Sequence, residues 1–180
     1  VLHQLSNRRD EPFVAVHCAG IPETLIESEL FGHEKGAFTN AVAQKSGRFD
    51  MAGAGTLFFD EVSEMSLNVQ AKLLRVLEER EFVRVGGNKV IKTNCRIVAA
   101  SNKDLRRQVR ENKFREDLYY RLSVVPVNLP ALRNRADDIP LLACHFLEHF
   151  QKEMNLPDVE FAPETVQMLA RYDWPGNVRE

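Results

Sequence analysis

Two adjacent carboxylates, Asp60 and Glu61, are the side chains best suited to chemistry in this sequence, because they directly follow a short apolar run. The run, residues 55–59 (GTLFF), would place apolar side chains on both faces of a strand, as in a parallel sheet covered by helices on both sides. Successive side chains of a strand point in opposite directions, so one acid can hold a hydrated magnesium ion while the other deprotonates a water. The pattern is typical of a nucleotide hydrolase, but it is equally typical of a loop that caps the next helix.

Two further apolar runs also end in polar residues. Residues 13–16 (FVAV) close at His17, and residues 96–100 (RIVAA) are followed by a serine and Asn102. The carboxyl ends of parallel strands meet at one edge of the sheet, where the ligands of such sheets gather. We therefore expect Asn102 to lie beside the two acids.

The remaining patterns predict helices, a hairpin and a last strand. Helices are expected at residues 1–5, 22–31, 67–79, 105–112, 137–154 and 163–171. Ser66 is the expected N-cap of the helix at 67–79, a hairpin is expected over residues 82–92, and a strand is expected at 124–129. Residues 1–130 are expected to form an α/β core and residues 131–180 a helical lobe, each cut from a longer chain.

The composition is that of an ordinary globular chain. Charged residues make up 28% and the net charge is -2, so nothing favours a nucleic-acid binder. Cys18, Cys95 and Cys144 are too few and too far apart for a disulfide framework or a zinc ribbon, which fits a reducing cytoplasm. No apolar run approaches the ~20 residues of a membrane span.

Three motifs, taken in order, carry a resemblance to a known family. Residues 29–41 (ELFGHEKGAFTNA) are similar to the signature ELFGHE-x-GAFTGA, residues 55–61 to a Walker B motif, and residues 174–180 (WPGNVRE) to the segment WPGN-[IV]-RE. The chain resembles, almost end to end, the AAA+ ATPase domain of sigma-54-dependent transcriptional activators, the bacterial enhancer-binding proteins. One such motif alone would mean little, but their combination is highly specific.

The resemblance implies the fold and the cofactors. It implies a three-layer P-loop NTPase-type α/β fold, in which helices cover both faces of a parallel sheet, followed by a C-terminal helical lid. The implied cofactors are ATP and Mg²⁺, with Asp60 binding the metal through water and Glu61 activating the attacking water. Asn102 matches the sensor I residue near the γ-phosphate.

The resemblance also assigns three arginines. Arg115 and Arg121 look like arginine fingers that reach the nucleotide of a neighbouring subunit in a ring, and Arg179 looks like the sensor II arginine of the lid. Finger arginines contribute about 10³ to 10⁵ in rate in other phosphoryl-transfer enzymes. Without the motifs, all three would be interpreted as solvated or ion-paired surface groups.

The implied partner of residues 36–41 is the sigma-54 subunit of RNA polymerase. The loop consists of Gly36, Ala37, Phe38, Thr39, Asn40 and Ala41, with Phe38 and Thr39 at its tip. The competing interpretation, a core role for Phe38, is disfavoured because its neighbours supply no apolar period. DNA would be bound through a C-terminal helix-turn-helix domain that lies outside this sequence.

The sequence departs from the family pattern in three places. It contains no phosphate-binding G-x-x-x-x-G-K loop, so residues 1–180 alone are expected to hold ATP poorly. Asn40 replaces the second glycine of GAFTGA. His17 replaces an asparagine that holds the catalytic glutamate in an inactive pose. A histidine can also hydrogen-bond Glu61, but it exchanges a proton near neutral pH, so this switch would depend on pH.

The leading hypothesis is an ATP-driven ring motor that remodels the sigma-54 holoenzyme. The alternative is a regulatory or scaffolding module that keeps the fold but neither hydrolyses ATP nor engages sigma-54, with His17 and Asn40 as its signs. The set of matched acids, asparagine and arginines argues against that alternative. A generic AAA+ remodeller or clamp loader is a weaker third option, because residues 36–41 have no place in those proteins.

Overall fold

The computed structural model describes residues 1–39, 41–157 and 159–180. This part of the chain forms two compact units, Val1–Val125 and Pro126–Glu180. None of the described helices has the length and apolar character needed to cross a bilayer.

The first unit is an α/β unit whose helices and strands are, in chain order, β1 (Phe13–His17), α1 (Glu23–Phe31), α2 (Arg48–Ala52), β2 (Thr56–Asp60), α3 (Leu67–Glu79), β3 (Glu81–Val83), β4 (Val90–Lys92), β5 (Arg96–Ala99), α4 (Leu105–Arg110) and α5 (Glu116–Leu122). Three strands form a parallel sheet in the order β1-β2-β5, and β3 pairs with β4 as an antiparallel hairpin. The central strand β2 turns the side chains of Leu57 and Phe59 into the core, where both are fully buried, and Phe58 on its opposite face is half-buried.

The core of this unit centres on Phe49 of α2, a helix that the sequence patterns did not predict. Its ring stacks on Phe31 with centroids 5.5 Å apart and also meets Phe59 and Phe82. Asp50, the third residue of the helix, caps its N-terminus, since its carboxylate accepts a hydrogen bond of 2.9 Å from the Gly47 amide. A helix of five residues is too short to show an apolar period, so its position depends on long-range packing.

Residues 1–5 form turns and not the expected helix. One helix-like backbone bond is made, from the Leu5 amide to the Val1 carbonyl at 2.9 Å, but the bonds that follow span three residues, such as Ser6 N–H to the His3 carbonyl at 3.0 Å. Contacts to the sheet hold this conformation: His3 Nδ1 lies 3.0 Å from Thr56 Oγ1, and the Arg8 guanidinium donates to the carbonyls of Ala54, Gly55 and Asn94.

The strand expected at residues 124–129 is also absent from the structure. These residues have no regular secondary structure, and the side chains of Val125 and Leu129 are 80% and 85% exposed. Pro126 has no amide hydrogen to donate to a strand ladder. Ser66 does occupy the N-cap position of α3, but its hydroxyl makes no capping hydrogen bond.

The second unit is helical. It contains α6 (Asp138–Met154), α7 (Pro163–Arg171) and short 3-10 turns at Leu132–Asn134 and Asn177–Arg179. The two turns are joined by a hydrogen bond of 2.8 Å from the Leu132 amide to Asn177 Oδ1. Trp174 closes the end of α7 by donating from Nε1 to the Leu169 carbonyl at 2.8 Å.

Candidate active site

The carboxyl edge of the parallel sheet brings the two acids to the surface of the first unit. His17 ends β1 and Asp60 ends β2, and the two residues are partners in the strand register. Glu61 follows directly. The side chains of Asp60 and Glu61 are 43% and 26% exposed, so both carboxylates can reach a ligand at this edge.

Glu61 has a strained backbone that redirects the chain. Its φ of 54° and ψ of 49° are left-handed, a conformation that non-glycine residues rarely adopt. The chain turns here from β2 into a 3-10 turn at Val62–Glu64, and the Val62 amide donates to the Ala100 carbonyl at 3.0 Å. Strain of this kind persists only where the surroundings fix it, and it is concentrated at functional sites.

Asn102 lies beside Glu61. The Ala100 amide donates to the Phe59 carbonyl at 2.8 Å, which continues the pairing of β5 with β2 past the end of the strands. Asn102 then donates from Nδ2 to Oε1 of Glu61 at 3.0 Å. The amide therefore fixes one carboxylate oxygen and leaves the other oxygen available.

His17 faces both carboxylates without bonding to either. Nδ1 lies 3.5 Å from Asp60 Oδ2 and Nε2 lies 3.6 Å from Glu61 Oε2, and both distances are longer than an ordinary hydrogen bond. Gly20 makes room for the ring, since a Cβ there would come within 2.8 Å of His17 Cδ2. In this structure the partner of Glu61 is Asn102 and not His17.

Two groups close to the acids, Glu64 and Cys18, have shifted pKa values. Lys103 Nζ lies 2.6 Å from Oε1 of Glu64, and this hydrogen bond holds the pKa of Glu64 below its usual range. The pair ties the segment after β5 to the turn after Glu61. Under the edge, burial and then the negative charge of Asp60 raise the pKa of the Cys18 thiol to about 12.

Asp60 fits a magnesium ion that keeps most of its waters. Among the described residues no group of three or more His, Cys, Asp or Glu side chains could hold a metal ion by itself. Magnesium in nucleotide sites is commonly bound by one or two carboxylates together with the phosphates. The half-exposed carboxylate of Asp60 has the oxygen ligands and the solvent access that this arrangement needs.

Arg115 and Arg121 make their contacts in the first unit with groups other than Asp60 and Glu61, and Arg179 belongs to the second unit. Arg115 is the N-cap residue of α5 and forms a two-bond ion pair with Asp117, at 2.6 and 3.0 Å, which holds the pKa of Asp117 below its usual range. Arg121 Nη2 donates to the Leu77 carbonyl at 2.9 Å. Arg179 is exposed in the second unit, at the end of its last 3-10 turn.

The loop at residues 36–41 is held by backbone hydrogen bonds, including one of 2.9 Å from the Ala41 amide to the Phe38 carbonyl, although Asn40 lies outside the described residues. The Gly36 amide donates to the Ala41 carbonyl at 2.8 Å. Phe38 is 39% exposed, and its ring packs edge-on against buried His33 with centroids 4.9 Å apart. The tip thus presents an aromatic side chain at the surface.

Gln70 is a polar residue of this region that the sequence patterns missed. It is fully buried within α3, next to Val69 and three residues before Leu73 on the apolar face. Its side chain bonds to the backbone on both sides of Phe114. The available signal was a glutamine inside an otherwise apolar helical stripe.

The parallel sheet, the acids at its carboxyl edge and the helical second unit define the AAA+ fold class, which confirms the expected fold. Residues 1–128 match the Sigma-54 interaction domain and residues 133–180 match the AAA+ ATPase lid domain. The chain belongs to the sigma-54 interaction domain family. The resemblance found in the motifs is confirmed, and the generic remodeller is set aside.

Relatives and solved structures agree with this family. The chain is 54% identical over 179 residues to the Nif-specific regulatory protein of Herbaspirillum seropedicae and 52% identical over 179 residues to the DNA-binding transcriptional regulator NtrC of Rhizobium meliloti. The alignments cover 99% of this chain but only 33% and 37% of those proteins. The structure of NtrX from Brucella abortus in complex with ATP is 39% identical, with a TM-score of 0.89 over 99% of this chain and 38% of that chain.

Proposed function

We propose that the chain is the motor part of an ATP-hydrolysing transcriptional activator that assembles as a ring and remodels the sigma-54 holoenzyme. The observation that carries the proposal is the convergence of Asp60, Glu61 and Asn102 on one edge of a parallel sheet. Family membership and an ATP-bound relative support the choice of nucleotide.

The chain's own residues then have separate tasks. Asp60 would hold Mg²⁺ through water, and the metal would neutralise charge on the phosphates. Glu61 would take the proton of the attacking water with the carboxylate oxygen that Asn102 leaves free. Asn102 would hold the other oxygen and stand near the γ-phosphate. Arg179 would contact the nucleotide from the lid.

The remaining site residues would contact other molecules, namely the next subunit of the ring and sigma-54. Arg115 and Arg121 would act on the nucleotide of the next subunit, which agrees with their contacts in this chain, Asp117 for Arg115 and the Leu77 carbonyl for Arg121. The exposed Phe38, together with Thr39, would contact sigma-54. DNA binding would belong to a part of the protein outside this sequence.

The decisive test is Glu61→Gln in the full-length protein. The amide keeps the shape of the side chain but cannot accept the proton of water, so we expect ATP binding to be retained and hydrolysis to fall by about 10²-fold or more. Binding is measured by calorimetric titration and turnover by phosphate release.

Glu79→Gln is the matched control, because Glu79 makes only an exposed pair with Arg75. It should hydrolyse ATP at the wild-type rate. A wild-type protein that binds ATP but neither hydrolyses it nor binds sigma-54 would instead support the non-hydrolysing module, of which His17 and Asn40 would be the signs. Turnover of Glu61→Gln within a few-fold of wild type would exclude Glu61 as the base.

A further inference from the structure

Gln70 is fully buried although it is polar. The same face of α3 carries Val69, Leu73, Val76 and Leu77, so an aliphatic residue would satisfy the packing there. A buried amide is retained at little cost only if its hydrogen bonds are made. The partners of Gln70 therefore indicate what it does.

All three of its bonds go to backbone groups. Nε2 donates to the Met65 carbonyl at 2.8 Å and to the Lys113 carbonyl at 3.1 Å, and Oε1 accepts from the Arg115 amide at 2.8 Å. The side chain thus holds the chain on both sides of Phe114, which is itself buried. Both amide hydrogens of Gln70 are used.

The segment held in this way leads directly to Arg115. Residues 113–115 belong to neither α4 nor α5, and the amides of Lys113 and Phe114 both donate to the Gln108 carbonyl. The Arg115 carbonyl accepts the first bond of α5, from the Tyr119 amide at 3.0 Å, but its amide has Gln70 as its partner. The bond from Gln70 fixes the Arg115 amide at the point where the chain enters α5. The guanidinium of Arg115 stays at the surface, where Asp117 is its partner.

We propose that Gln70 is the positioning residue for Arg115, holding its backbone so that the guanidinium can leave Asp117 and reach the nucleotide of the neighbouring subunit. The inference rests on the proposed function. Gln70 also bonds the Met65 carbonyl, and Met65 ends the turn that follows Glu61. One side chain ties the acids of a subunit to the arginine that the same subunit offers to its neighbour.

The test uses the full-length protein and mixed rings. Gln70→Met keeps the length and packing of the side chain but loses all three bonds, and alone it should lower ATPase turnover at least tenfold. The Gln70→Met chain keeps Asp60 and Glu61 but lacks a well-placed Arg115. The Glu61→Gln chain lacks the base but keeps Arg115 in place. In a random 1:1 ring about one interface in four combines the two intact parts, so mixing should restore up to about a quarter of the wild-type rate.

Two mixtures act as controls. Arg115→Ala mixed with Glu61→Gln should recover in the same way, because the site is shared. Gln70→Met mixed with Arg115→Ala should stay inactive, because neither chain has a working finger. Ile26→Ala, a buried change on α1, controls for loss of stability and should keep its turnover at a comparable drop in melting temperature.

The outcomes separate the two proposals. If Glu61→Gln regains turnover when mixed with Arg115→Ala but not when mixed with Gln70→Met, the role of Gln70 is overturned. Wild-type turnover of Gln70→Met alone would also overturn it. If neither mixture recovers, the shared site is wrong and the role of Gln70 falls with it. If Gln70→Met does not fold, Gln70→Leu is mixed instead, since it suits the apolar face of α3 and also makes none of the three bonds; recovery supports the proposal and inactivity overturns it.

Discussion

The three cysteines differ in burial, and burial determines how readily a thiol ionises. Cys18 lies under the acid edge and is buried, and its pKa is raised to about 12, mainly by burial. Burial also raises the pKa of Cys95. Cys144 is exposed on α6. Because the thiolate is the reactive form and burial disfavours that charged form, Cys18 stays a protonated thiol at neutral pH.

We therefore expect a short treatment with iodoacetamide at pH 7.5 to label Cys144 alone in the folded protein. All three cysteines should react in denaturant, because unfolding removes the burial that protects Cys18 and Cys95. Peptide mass mapping identifies the labelled sites, and Cys144→Ser is the control that should take up no label when folded. Labelling of Cys18 at the rate of Cys144 would contradict its burial.

The hairpin of β3 and β4 packs closely on the loop at residues 36–41. Gly86 has a φ of +73°, and a Cβ there would lie 2.7 Å from the Cβ of Ala37. The backbones are also bonded, since the Glu34 amide donates to the Val85 carbonyl at 3.0 Å. The loop and the hairpin can therefore move independently only if this contact opens.

Gly86→Ala should reduce the free energy of unfolding for two reasons, its positive φ and its clash with Ala37. Gly36→Ala is the matched control, because Gly36 has a φ of +83° but no atom within 4 Å of its added Cβ. The control should lose about 1 kcal/mol from the conformation alone, and Gly86→Ala should lose more. Urea unfolding measures both; equal losses would argue against the close approach.

Local sequence patterns predicted those elements whose periodicity is strong. The helix expected at residues 67–79 is α3, with the same bounds, and the hairpin and the three parallel strands lie where apolar runs and turn residues indicated. The patterns missed α2, which is too short to show an apolar period. They also predicted a strand at residues 124–129 from its apolar composition, but Pro126 has no amide hydrogen to donate to a neighbouring strand.

The site was predictable in its outline but not in its bonds. Strand ends indicated that Asn102 and the acids share one edge, because parallel strands place their carboxyl ends together. No local pattern indicates that Asn102 bonds Glu61, or that Gln70 bonds an amide 45 residues away. Periodicity shows which residues face the core, and not which partner a polar residue finds there.

The two units differ in how much apolar surface they bury. Among the described residues, Leu132 and Ile139 are the buried hydrophobic residues of the second unit, whereas most of those in the first unit form one continuous cluster. Leu141 and Met168, on α6 and α7, are 73% and 70% exposed. Regions with few buried apolar contacts open at a lower free energy than well-packed cores.

Amide hydrogen exchange should therefore distinguish the units. We expect peptides from α6 and α7 to exchange on the order of tenfold faster than peptides from β2 and α3, because less buried surface opposes their opening. Mass spectrometry of the exchanging protein gives the rates, and the urea-unfolded protein gives the reference. Equal protection in the two units would contradict the difference in packing.

The left-handed backbone of Glu61 sets folding and chemistry against each other at one position. Such a conformation costs a non-glycine residue on the order of 1 kcal/mol, which glycine would relieve. A lineage that no longer needs the carboxylate would gain stability by replacing it, so Glu61 should be among the first residues to change there. Under the proposed function, Glu61→Gly is therefore the change that would give up hydrolysis and gain backbone stability together.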